Sequence, residues 1–159
     1  MSHTKIHFYD AANPRNVPSG VYAAVPIDGM FAHDWGLHIH RMEKVFRYTV
    51  LGGVAVAHQA RGIDIERGDR ANSPNFYIPF LEERTKHYGD ATAYCNRDTR
   101  PSVMAACERA GILDRVLFWV ATLDGTSEVP GAWAVQYKGG PTSPFDLSVL
   151  HGVDNFHRP

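Results

Sequence analysis

The stretch Arg61-Gly62-Ile63-Asp64-Ile65-Glu66-Arg67-Gly68-Asp69 decides how this chain is read. Carboxylates alternate with isoleucines, and glycines bracket the set. Side chains of a strand alternate faces with a period of two, so Asp64 and Glu66 share one face and Ile63 and Ile65 the other. The bland alternative is a solvated strand end. The two isoleucines argue against it, because their face must be buried. Two acids on one face near the buried end of a strand are what acid-assisted bond cleavage requires.

Bulk properties bound what can surround that strand. A chain of 159 residues is one domain, large enough to bury a core without staples. Apolar residues make up 44% and charged residues 21%, which excludes disorder. A net charge of −1 offers no basic field, so neither nucleic acid nor an anionic membrane is an expected partner. No apolar run reaches the roughly 18 residues of a membrane span. The amino-terminal residues carry no signal-peptide core, so synthesis in the cytoplasm is expected. The two cysteines, Cys95 and Cys107, form no CxxC pair and read as free thiols. His38-Ile39-His40, after Asp34, would share a strand face as a metal pair does, but no third ligand is spaced for it. Neither a metal nor a cofactor is expected.

Upstream of the acidic strand, residues 6–9 are β-prone and end on Asp10, before the turn-rich Ala11-Ala12-Asn13-Pro14. An acid there is either a turn cap or a functional group at the carboxyl end of a barrel strand. A second strand spans 20–27, with Pro26 forcing a bulge or an early end before Asp28. Residues 31–45 have no clean period. A strand at 45–51 closes on Gly52-Gly53, and residues 54–60 form a short helix or a connecting strand.

Downstream, Ser73 and Pro74 start a helix that ends near Tyr88-Gly89. Phe76 and Phe80 pack inward, and Glu82, Glu83, Arg84 and Lys86 supply a solvated face. Residues 91–95 are a strand ended by Asn96. A helix capped by Asp98 or Thr99 follows, with Val103, Met104 and Cys107 inward and Gly111 as its stop. Strands at 116–121 and 132–137 come next, and residues 145–150 end the regular part. The tail from His151 reads as loop. About seven strands, with helices between some of them, imply an α/β fold with a mainly parallel sheet. The fit at this length is a compact, incomplete or irregular TIM-type (β/α) barrel, 1–159 being one domain.

If the strands are parallel, Asp10, Asp64, Glu66 and Asp146 converge. Tyr94, Trp119, Gln136 and Tyr137 join them. Acids beside aromatic rings suit carbohydrate, whose apolar sugar faces pack on rings while carboxylates handle hydroxyls and protons.

An early strand ending in Asp, then Asp-x-Glu, Tyr-Cys-Asn, Trp-Val-Ala, Gln-Tyr and Phe-Asp-Leu occur in that order from Phe8 to about Leu150. This order resembles the family-25 glycoside hydrolases, the lysozyme-type muramidases, and the related domains of actinobacteria and their phages. The resemblance implies a peptidoglycan glycosidase with Glu66 as general acid. It implies that Asp64 stabilises the oxocarbenium-like centre or assists attack by the substrate's acetamido group. Asp10 and Asp146 would be accessory acids, with Tyr94, Trp119 and Gln136 as cleft walls and Tyr137 and Asp28 beside substrate. The implied partner is bacterial cell-wall polysaccharide, reached after release or on a phage particle. Three places depart from the pattern. Val25-Pro26-Ile27-Asp28 stands for a Lys-Ala-Thr-Glu-like strand, Arg47-Tyr48-Thr49 for Tyr-His-Phe, and Val135 for the Trp before Gln-Tyr. Two other readings use the same barrel. One is a non-catalytic glycan-binding or virion structural module with an assembly partner; the other is an enzyme acting on another bond.

Overall fold

A computed structural model describes residues 5–66 and 72–159. Arg67, Gly68 and Asp69, the end of the acidic stretch, lie outside the described residues.

The strands are β1 (His7–Asp10), β2 (Tyr22–Pro26), β3 (Lys44–Thr49), β4 (Gly62–Asp64), β5 (Ala91–Asn96), β6 (Val116–Ala121), β7 (Ala134–Lys138) and β8 (Asp146–Leu150). The helices are α1 (Ala32–His38), α2 (Pro74–Tyr88) and α3 (Arg100–Arg109). The eight strands close into a barrel in chain order. Neighbours from β1 to β7 are parallel, whereas β8 runs antiparallel to both β7 and β1. The described residues form eight strands, where about seven were expected. The segment at the end of the regular part is the strand that closes the barrel. Closure removes the open edges that an incomplete barrel would leave unpaired.

Period-two alternation sorts the strand residues into two layers. Phe8, Ala24, Phe46, Tyr48, Tyr94, Trp119, Ala134 and Leu150 belong to the cluster that fills the interior. The interior is crowded enough to dictate its neighbours. A Cβ at Gly62 would come within 2.8 Å of the Phe46 ring, so β4 starts on glycine. On the outside, Ile63, Ile65, Ala93, Cys95, Phe118 and Val120 pack against Tyr77, Phe80 and Leu81 of α2 and Val103 and Cys107 of α3. Both isoleucines of the acidic strand are fully buried there, as the alternation requires. Around the other side, Trp35 of α1 packs with Ala23, Val25 and Val45, and its Nε1 donates to the Ala11 carbonyl at 2.9 Å.

Two local expectations change, and the choice left open at residues 54–60 falls to a short helix. Residues 31–45 hold the short α1 and a 3₁₀ turn (Ile39–Arg41), so His38 and His40 share no strand face. Residues 54–60 open with a 3₁₀ turn, Val54–Val56. Arg84 does not belong to the solvated face of α2: it is 5% exposed, stacked 3.8 Å over the Tyr88 ring, with Nη1 donating to the Ala57 carbonyl. Among the described residues, no helix is long and apolar enough to cross a membrane.

Candidate active site

Parallel strands deliver their carboxyl ends to one rim of a barrel. Asp10 ends β1 and Asp64 ends β4; Asp28 follows β2 and Glu66 follows β4 by two residues each. Asp146 opens β8, and because β8 is reversed its first residue reaches the same rim. All five acids line one cavity of about 440 Å³, with Tyr48 beside them.

Asp10 and Asp146 are direct partners across β1 and β8. Opposed residues of an antiparallel pair have Cα atoms about 5 Å apart, and like charges so placed repel. Burial, then Asp146, with a smaller push from Glu66, raises the Asp10 carboxyl from 3.8 to about 7. It does so against hydrogen bonds from the Ala11 amide at 2.8 Å and the Tyr48 hydroxyl at 3.3 and 3.4 Å. Burial also raises Asp146, opposed by the Gly140 amide (3.0 Å) and the Gln136 side chain. Asp10 therefore keeps a proton well into the neutral range.

That proton has a measurable consequence. A group raised on folding contributes stability that is complete below its unfolded value, 3.8, and is lost as pH climbs through about 7. The urea midpoint of the wild type should fall between about pH 4 and 7 relative to Asp10→Asn. Parallel curves for the two proteins would rule out this charge crowding.

Asp28 is braced rather than crowded. Its Oδ2 accepts from the Thr49 hydroxyl at 2.5 Å and its Oδ1 from the Val50 amide at 2.8 Å. Asp146 depends on a glycine. A Cβ on Gly139, whose φ is +150°, would collide with the Asp146 carboxylate. Gly139→Ala should displace that carboxylate and cost more than about 1 kcal/mol. Thermal unfolding checks it, and an unchanged midpoint would refute the close approach.

Of the other expected site residues, Tyr94 is the register partner of Asp64. Its phenol is held well above its usual range by burial and by Glu66, Asp64, Asp10 and Asp146. Gln136 is buried and reaches Asp146. None of Tyr94, Gln136, Trp119 and Tyr137 is among the residues that line the cavity. Trp119 is 1% exposed, with Nε1 donating to Ser148 Oγ at 3.0 Å and its ring 4.5 Å from Tyr94, in the packed interior. Tyr137 alternates outward from Gln136, its hydroxyl 3.3 Å from His7 Nδ1.

The architecture matches known structures over nearly its whole length. A family GH25 lysozyme from Aspergillus fumigatus superposes with a TM-score of 0.60 at 12% identity, covering 95% of this chain and 96% of that one. A muramidase from Acremonium alcalophilum superposes with a TM-score of 0.56 at 13% identity, covering 94% and 95%. The chain has a family-25 lysozyme-like fold. No family model matches the sequence, and no curated protein matches it.

Sequence reasoning missed three groups at the mouth of this family-25-like barrel. Tyr48 was readable as the inward residue two places after Phe46, at a strand end. Met30 and Phe31, 86% and 42% exposed, form an apolar lip on the cavity. Their only signal was a pair of large apolar residues straight after the Asp28-Gly29 turn. Among the described residues, no group of His, Cys, Asp and Glu could hold a metal ion.

Proposed function

We propose that this protein is a lysozyme-like glycosidase that cleaves β-1,4 bonds of bacterial peptidoglycan. The observation that carries the reading is the convergence of five carboxyl groups in one cavity at the rim of a family-25-like barrel. The structural neighbours are named as a lysozyme and a muramidase, which favours a cell-wall polysaccharide over other glycans.

Glu66 is the general acid that protonates the leaving oxygen. Asp64, at the end of β4, stabilises the positive charge developing on the sugar or aligns the substrate's acetamido group for attack. Asp10, protonated near neutrality, donates to a sugar hydroxyl, and Asp146 accepts from one. Lowering the number of ionised acids limits their mutual repulsion, which is how crowded carboxyls divide their roles. Tyr48 orients Asp10, and Phe31 offers a ring to an apolar sugar face.

The test is incubation of the purified protein with bacterial cell walls, followed by turbidity and by new reducing ends. Falling turbidity with reducing-end release supports the glycosidase. No release, with the protein still pulled down by the walls, would replace it with the non-catalytic glycan-binding module.

A further inference from the structure

Residues 45–48 of β3 face two different environments. Phe46 and Tyr48 point into the barrel, while Val45 and Arg47 face outward and line a second, smaller cavity of about 130 Å³. The cavity is closed by Arg61 just before β4, by Arg84 of α2, and by His58 and His157. Three arginines thus line one recess on the outer wall, on the opposite face of β3 from the acid-lined cleft.

Like charges gathered in a recess are unfavourable without a counter-charge. Among the described residues, no carboxylate lies within 4 Å of Arg47, Arg61 or Arg84. Of the nearby acids, Glu83 pairs with His58 and His87 at 3.3 and 3.1 Å and Asp154 with Lys44 at 2.7 Å, while Asp90 acts on Arg84 through its charge alone, from beyond ion-pair distance. Arg84 is buried, with its Nη1 spent on the Ala57 carbonyl, yet its buried Nε has no hydrogen-bond partner. A buried guanidinium N–H left unsatisfied is costly, and Arg84 is one of the residues that line this recess. The crowding also registers on its neighbours. Burial and Arg61 lower Arg84 against the pull of Tyr88 and Asp90, and burial followed by Arg61, Arg47 and Arg84 lowers His157 against that of Asp154.

We propose that this recess is an oxyanion-binding site that takes a phosphate group. Guanidinium forks match the oxygens of phosphate in pairs, and three of them around one recess suit a tetrahedral, multiply charged anion better than a planar carboxylate. At about 130 Å³ the recess has room for one phosphate group. The site would hold either free phosphate or the phosphate of an ester whose remaining part lies in solvent.

Titration of the intact protein at constant ionic strength tests this, using inorganic phosphate, glycerol phosphate and acetate, read by calorimetry and by the shift in Tm. Phosphate should bind saturably at one site and raise Tm, and Arg47→Gln and Arg61→Gln should each weaken it about tenfold. Arg97→Gln, which removes an exposed arginine paired with Asp124 at 3.1 Å, should leave it unchanged. Glycerol phosphate binding as well as phosphate identifies an ester-type ligand; inorganic phosphate binding alone identifies the free ion. Absence of saturable phosphate binding by the wild type overturns the site whatever the variants do. Equal binding of acetate, or binding untouched by Arg47→Gln and Arg61→Gln in folded variants, overturns it too.

Discussion

Glu66→Gln should reduce cell-wall cleavage by about 10²–10⁴-fold, the range expected when a positioned general acid is removed. Gln keeps the length of the side chain and its capacity to hydrogen-bond but cannot release a proton. The loss should therefore fall on turnover. Binding to cell walls should persist, because Asp10, Asp28, Asp64 and Asp146 still line the cavity. Reducing-end release and wall pull-down, measured side by side for both proteins, separate the two effects. Cleavage within twofold of wild type would remove Glu66 from the acid role and turn attention to Asp10, whose carboxyl also holds its proton near neutrality.

Phe156→Ala should cost about 3–5 kcal/mol of stability, as for other buried aromatics cut to alanine. Its ring is 4% exposed and lies 5.0 Å from Phe8, 5.2 Å from Tyr22 and 5.7 Å from Phe46, and it stacks on Trp133 at 16°. The tail that carries it is tied to β3 on both sides. Val45 and His157 exchange backbone hydrogen bonds at 2.7 and 2.9 Å, and Lys44 pairs with Asp154. Truncation would open the filled interior beneath the acids. Urea unfolding gives the measurement, with Val153→Ala, at a position 60% exposed, as a control expected within about 0.5 kcal/mol. A loss below about 1 kcal/mol for Phe156→Ala would mean that the interior repacks without the tail.

The two results would also locate where sequence reading reaches its limit. Phe156 lies in the tail that the sequence presents as loop, and nothing in its local pattern marks it. It is buried because β1, β2, β3 and the segment before β7 leave space at one end of the barrel. Only the closed barrel creates that space. Arg84 followed the same course. Its neighbours Glu82, Glu83 and Lys86 made a solvated face plausible, and the packing of α2 on the Val54–Val56 turn drew Arg84 inward.

What the sequence determined by itself was whatever short-range periodicity carries. Alternation placed Asp64 opposite the buried Ile63 and Ile65, Ser73-Pro74 and Gly89 bounded α2, and the strand at 116–121 was legible from its composition. Strands interleaved with helices pointed to a barrel, and acids at strand ends to a common rim. The tertiary structure decided the depth and direction of each side chain. Reversal of β8 put Asp146 opposite Asp10, and burial, reinforced by that juxtaposition, raises Asp10 to about 7. Trp119 and Tyr137 fell outside the cavity because one sits a layer deeper in the interior and the other on the outer face. The recess of Arg47, Arg61 and Arg84 joins residues from β3, the residue just before β4, and α2. Periodicity is local, whereas strand direction, layer depth and the meeting of distant charges are set only when the barrel closes.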